Sequence, residues 1–214
     1  MKKVYCISGL GADKRVFAAL KLPEIELVHI AWLSPSIDDT MGSYAKKLLP
    51  QIDTSTSVTI LGLSFGGMLA VEVGHWIENS QIIVLSSAVT ASAIPLRYRL
   101  LGQWKIPDKI PFSILQKTNA LTYYFFGIKT KQYQVLLNNI LQDTEEHFFR
   151  WAVQAIVNWK NEKVPLDLIQ IHGTNDKILP LVKTPSLILV KGGGHFMVLE
   201  QADQVAQILN DILS

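Results

Sequence analysis

Ser64, Asp176 and His195 are of the types and in the places that nucleophilic catalysis requires. Ser64 lies in Gly62-Leu63-Ser64-Phe65-Gly66, at the end of the apolar run Val58–Leu63 and just ahead of the small-residue stretch that starts at Gly67. A serine hydroxyl is a weak nucleophile at neutral pH and needs a base that is itself oriented by a third group. The C-terminal half of the chain offers both. Asp176 follows the run LDLIQIHG, in Thr174-Asn175-Asp176-Lys177, and His195 follows SLILVKGGG. Serine, carboxylate and imidazole together would perform acyl transfer: the hydroxyl attacks a carbonyl, the imidazole carries the proton and the carboxylate steadies the imidazole.

These residues can cooperate only if the fold gathers them, and the pattern between them predicts how it does so. Six short runs, KKVYCIS, IELVHIAW, SVTILGLS, QIIVLSSAV, LDLIQIHG and SLILVKGGG, are rich in continuous Val, Ile and Leu. That is the signature of strands covered on both faces. Helical patterns at Thr40–Leu49, Gly67–Glu78 and Ala202–Leu213 alternate with them. The expected fold is α/β, a mainly parallel sheet of about six strands flanked by helices. Asp38-Asp39-Thr40 suits the start of the first helix. Ser64, Asp176 and His195 each sit just past the carboxyl end of a strand, the edge where open parallel sheets build their sites. A serine at the apex of a sharp strand-to-helix turn needs tiny neighbours, which Gly62 and Gly66 supply, while Gly67 lets the helix pack closely. From about 94 to 163 no strand is expected. Helical patterns there carry many aromatics, Trp104, Tyr124, Phe126, Phe148 and Trp151 among them, punctuated by Pro107 and Pro111. We expect a helical cap insertion across the carboxyl edge of a single domain spanning 1–214.

Other residues compete for the same roles. The motif around Ser64 could be an ordinary glycine turn, and Asp176 could cap the turn before Pro180. Asp38, Asp39 and Asp167 are rival acids, although Asp167 opens its strand and so belongs to the opposite edge. His29, His75 and His147 fall inside strand or helix patterns, and His172 precedes Gly173 in what reads as a tight turn. His195, after three glycines, has the looser loop that a working base requires.

Composition narrows the function classes. A chain of 214 residues fits one well-packed domain. The net charge of +2 with dispersed lysines gives no nucleic-acid surface. No apolar run approaches the ~18 residues of a membrane span, and Val4–Ile7 is too short for a signal-peptide core, so no membrane and a cytoplasmic location are expected. Cys6 is the only cysteine, which excludes an internal disulfide and reads as a small buried hydrophobe in the first strand. The five histidines are scattered without cysteine partners, so neither a metal nor an organic cofactor is implied. Nothing in the sequence speaks to oligomeric state.

Taken in order, Gly-Leu-Ser-Phe-Gly at 62–66, His-Gly-Thr-Asn-Asp with Pro180 at 172–180, and Gly-Gly-His-Phe at 193–196 resemble the α/β-hydrolase fold superfamily in its esterase/lipase-like branch. The resemblance covers the chain except for the stretch near 94–163. It implies Ser64 as nucleophile, His195 as general base and then acid, and Asp176 as the residue orienting the imidazole. It also implies an oxyanion hole from the backbone N–H of Phe65 and of Leu10, the latter in the loop Ser8-Gly9-Leu10-Gly11. The family usually has His-Gly where this chain has Ser8-Gly9, and usually has further strands ahead of that loop, so the fold expected here is a trimmed one. The implied activity is cleavage of a small carboxylic ester or related acyl bond through an acyl-serine. A neutral, aromatic crevice under the cap points to a small, mostly apolar, uncharged substrate. The same fold also carries thioesterase, carbon–carbon hydrolase, lyase and cofactor-free peroxidase chemistry, and a non-catalytic small-molecule receptor is a further alternative. Ser64 argues against dehalogenases and epoxide hydrolases, which would have aspartate there, and against dienelactone-type enzymes, which would have cysteine.

Overall fold

The computed structural model describes residues 1–104 and 109–214. Pro107, expected to punctuate the insertion, lies outside the described residues. Six strands, β1 (Lys2–Ile7), β2 (Ile25–His29), β3 (Val58–Leu63), β4 (Ser80–Leu85), β5 (Leu168–Gly173) and β6 (Leu187–Val190), form one sheet in the order β2-β1-β3-β4-β5-β6. Every pairing is parallel. Each of the six runs contains a strand, although the second stops at His29 rather than Trp32, the fourth at Leu85 rather than Val89, and the sixth at Val190, ahead of its glycines.

The continuous apolar runs have the expected cause. Alternate side chains of the central strands enter opposite cores: Ile60, Ile82 and Val84 enter one, and Leu61, Leu63, Ile83 and Leu85 the other. Both faces therefore need apolar residues, and β3 is buried at every position. The first core is closed by α1 (Met41–Leu48) and α2 (Phe65–Gly74). The second is closed by a short 3₁₀ turn at Lys14–Phe17 and by a C-terminal helix over Ala202–Leu213. Thr40, read as the first residue of this helix, is its cap, and the helix proper begins at Met41. The Thr40 side chain accepts the Ser43 N–H at 3.1 Å while the Ser43 hydroxyl accepts the Thr40 N–H at 2.9 Å, a reciprocal cap. Cys6 is buried, and burial pushes its thiol up to about 12.

Between β4 and β5 the chain forms α3 (Leu96–Gln103), α4 (Phe112–Leu115), α5 (Ala120–Phe126), α6 (Lys131–Asp143) and α7 (Glu146–Val157). After β6 come α8 (Met197–Glu200) and α9, the C-terminal helix. Among the described residues of the 94–163 stretch there is no strand. Helix α7 buries Phe148, Trp151, Ala152 and Ala155 in the first core, whereas α6 buries Leu137 and Ile140 in the second. The insertion thus bridges the two faces, and the Trp159 indole N–H ties its end to Glu72 of α2 at 2.6 Å.

The strand order locates a crevice. The chain leaves β1 for β2 on one side and then returns to place β3 on the other, so β1 and β3 flank the point where the winding reverses. Loops leaving their carboxyl ends diverge there and open a gap. Ser64 follows β3 and the Ser8–Ala12 loop follows β1. Among the described residues no helix is long and apolar enough to cross a membrane.

Candidate active site

Ser64 has φ 53° and ψ −117°, a backbone conformation that side-chain-bearing residues rarely adopt. Its surroundings hold it there. The Ser64 N–H donates to the Leu85 carbonyl at 2.9 Å, and its own carbonyl accepts the Gly67 N–H at 2.9 Å and the Ser87 hydroxyl at 2.6 Å. The flanking glycines are required by close approach. A Cβ on Gly62 would fall 2.4 Å from the Gly66 carbonyl oxygen, and one on Gly66 would fall 2.2 Å from the carbonyl oxygens of Ile7 and Ser8. The turn therefore docks backbone against backbone on the end of β1.

The structure brings the three sequence candidates into one hydrogen-bonded line. Ser64 Oγ lies 2.9 Å from His195 Nε2, and His195 Nδ1 lies 2.8 Å from Asp176 Oδ2. A carboxylate only accepts, so Nδ1 carries the proton and Nε2 is left to accept the Ser64 O–H. Asp176 Oδ1 accepts the N–H groups of Ile178 and Leu179 at 2.9 and 3.0 Å. The turn-capping reading of Asp176 thus describes one oxygen, while the other faces His195. Burial would push the Asp176 carboxyl up, but the hydrogen bond and charge of His195, helped by the Leu179 and Ile178 N–H groups, hold it below the usual carboxylate range. Phe126, the last residue of α5, packs edge-on against the His195 ring at a centroid distance of 5.7 Å, so the insertion reaches the candidate base directly.

The rivals lie elsewhere. Asp39 serves α1, accepting from Ser36 and Ser43 and pairing with Lys47. The Asp167 carbonyl accepts the Ile82 N–H near the amino ends of β4 and β5, at the opposite edge. His29 stacks on Phe17, His75 caps the end of α2, and His147 contacts the Pro35 carbonyl.

His172 departs from its tight-turn reading. Its side chain is fully buried, and its Nε2 sits 3.2 Å from the Leu179 carbonyl and 3.5 Å from Asp176 Oδ2. That neighbour requires Nε2 to carry hydrogen. Burial pulls the His172 imidazole below its ordinary range, against the pull of Asp176, so the ring is neutral at pH 7. Nδ1 and the neighbouring Ser86 hydroxyl, one rung beyond the Leu85–Ile171 pair, are buried without a partner.

Leu10 and Phe65 border the cavity that Ser64 and His195 also line. Phe65 opens α2, so its N–H has no intrahelical acceptor and lies at the positive end of the helix. The Leu10 loop is braced at Ala12, whose carbonyl accepts the Ser8 hydroxyl and the Trp32 indole N–H, each at 2.6 Å. Ser8, standing where the family usually has histidine, is therefore part of the brace. Trp32 was not singled out by the sequence. The one available signal is that a buried indole N–H needs a partner, and it does not say which. Among the described residues no three His, Cys, Asp or Glu side chains gather as metal ligands.

The fold and this arrangement can be set beside known proteins. The chain matches a family model described as "Alpha/beta hydrolase family" over residues 6–208. No curated protein matches it by sequence. Among solved structures it is similar to MenH from S. aureus, with a TM-score of 0.73 and 16% identity over 99% of this chain and 93% of that one. An esterase (EaEST) from Exiguobacterium antarcticum gives 0.71 and 17%, covering 99% and 91%. A lipase-esterase related protein from Clostridium acetobutylicum gives 0.69 and 16%, covering 98% and 93%. At such identities the structures speak for the scaffold, and the family model speaks for membership. The chain belongs to the α/β-hydrolase family.

Proposed function

We propose that this protein is a serine hydrolase that cleaves a small carboxylic ester through an acyl-Ser64 intermediate. The observation that carries the reading is the continuous hydrogen-bonded line Ser64–His195–Asp176 at 2.9 and 2.8 Å, with Ser64 and His195 lining an apolar cavity. Ser64 Oγ attacks the substrate carbonyl as its proton passes to His195 Nε2, and Asp176 stabilises the imidazolium. The carbonyl oxygen becomes negative where the N–H groups of Leu10 and Phe65 can meet it, the electrostatic contribution that usually weighs most in acyl transfer. Collapse breaks the bond to the alcohol oxygen, which takes the proton from His195. A water molecule then attacks the acyl-serine, with His195 as base, releasing the acid and restoring Ser64. In this reading residues 94–163 act as a cap over the carboxyl edge of a single domain.

Ser64→Ala tests the proposal. It removes the atom that forms the covalent bond, so ester turnover is expected to fall by about 10⁶-fold, as loss of the nucleophile does in serine proteases, with the fold intact by circular dichroism. Retained turnover would exclude Ser64 as the nucleophile.

A further inference from the structure

The space over Ser64 is divided in two. One cavity, of about 240 Å³, is bounded by Met68, Tyr98, Val153, Val157 and Leu179; the other, of about 210 Å³, by Leu10, Phe126, Leu137, Leu141, Phe149 and His195. Ser64, Ile156 and Ile178 line both, so the two isoleucines, one from α7 and one from the loop after β5, mark the division at the nucleophile. Among the described residues no Lys, Arg, Asp or Glu lines either chamber.

We infer that the substrate is an ester apolar on both sides of its carbonyl, with the acyl group in the α3–α7 chamber and the alcohol in the chamber walled by His195. The inference rests on the proposed acyl-serine reading and deepens it. The assignment follows from proton delivery. The departing alkoxide must take its proton from His195 Nε2, so it lies on the side where His195 forms the wall. The acyl group stays bonded to Ser64 Oγ and extends into the chamber that His195 does not reach. Size sets the class. A cavity of about 150 Å³ accommodates benzene, so roughly nine carbons can be buried on the acyl side and roughly eight on the alcohol side. Charge sets it further. A carboxylate, phosphate or ammonium held against either lining would meet no Lys, Arg, Asp or Glu among the described residues, and its desolvation there is unfavourable.

Two ester series test this on the intact protein: p-nitrophenyl esters of increasing acyl length, and acetyl esters of alcohols of increasing size. In the wild type, kcat/KM is expected to rise roughly fourfold per buried methylene and to level off beyond about nine acyl carbons. Val153→Phe fills only the acyl chamber. The octanoyl-to-acetyl ratio of kcat/KM is expected to drop by about tenfold or more, while the hexyl-to-methyl alcohol ratio stays within about threefold. Leu141→Trp, in the other chamber, is expected to do the converse. If either variant fails to fold, Val153→Leu and Leu141→Phe are read the same way with smaller shifts. Reversed shifts, both ratios moving together in either variant, or efficient turnover of an ester with a carboxylate on a short acyl chain, such as a hemisuccinate, would overturn the inference. Those results leave the proposed function standing so long as esters are turned over. No turnover of any ester, with no fluorophosphonate label on Ser64, would overturn both.

Discussion

At the scale of single residues, Ser64 holds a backbone conformation that glycine would adopt more easily, a cost on the order of 1–3 kcal/mol set against the entropy that glycine adds to the unfolded chain. Two inactive variants separate the terms. Ser64→Gly is expected to be about 1 kcal/mol more stable than Ser64→Ala in denaturant unfolding, because alanine keeps the strain. Equal stabilities would show that the strain does not exceed the entropy that glycine adds to the unfolded chain. The gathering of Ser64, Asp176 and His195 was legible because each is a polar residue placed just past the end of an apolar strand, on the one edge where open parallel sheets build their sites. Ser8, Trp32, Ser87 and His172 were not. Their roles depend on which distant carbonyl or carboxylate packing brings near, as when Trp32 reaches Ala12 across twenty positions of chain. His172 reads as a turn residue because its sequence neighbour is glycine, and only the fold sets it against Asp176.

Elements were legible in proportion to how far one local pattern decides them. Strands β3 and β4 are buried on both faces, so their uninterrupted apolar runs leave no alternative, and α9 begins and ends as its periodicity predicts. Helix α2 starts at Phe65 rather than Gly67 because the strained turn at Ser64 delivers the chain straight into helix, and it stops at Gly74 rather than Glu78. The insertion was legible as helical but not in detail. Trp151 and Trp159 are buried while Trp104 is 66% exposed, although all three look alike in sequence. The difference comes from docking: Trp151 of α7 and Trp159 just past it join the first core, where the Trp159 N–H also finds Glu72, while Trp104, just past α3, belongs to neither core.

At the scale of the molecule, the site couples stability to pH. A buried histidine kept neutral binds its proton less readily when folded than when unfolded. Below the unfolded value near 6.5 the unfolded chain therefore holds more protons, and stability falls as pH drops. His29, also lowered by burial, adds to the same slope. The contribution of Asp176 has the carboxylate sign: it is present above the unfolded value near 3.8 and is lost as pH falls through the depressed folded value. The two windows are separate. His172→Gln keeps a side-chain N–H donor but cannot titrate, so the decline in unfolding free energy between about pH 6.5 and 5 is expected to be shallower in this variant. Denaturant unfolding at several pH values measures it, and an unchanged slope would mean that His172 does not titrate differently in the folded and unfolded chains.

The central claim is that His195 activates Ser64. It is tested most directly by treating the protein with a fluorophosphonate probe and mapping the label by peptide mass spectrometry, in the wild type and in His195→Ala. The account predicts phosphonylation of Ser64 in the wild type, with displacement of fluoride, and loss of the label in the histidine variant. A folded wild type that stays unlabelled, or equal labelling of both proteins, would contradict it.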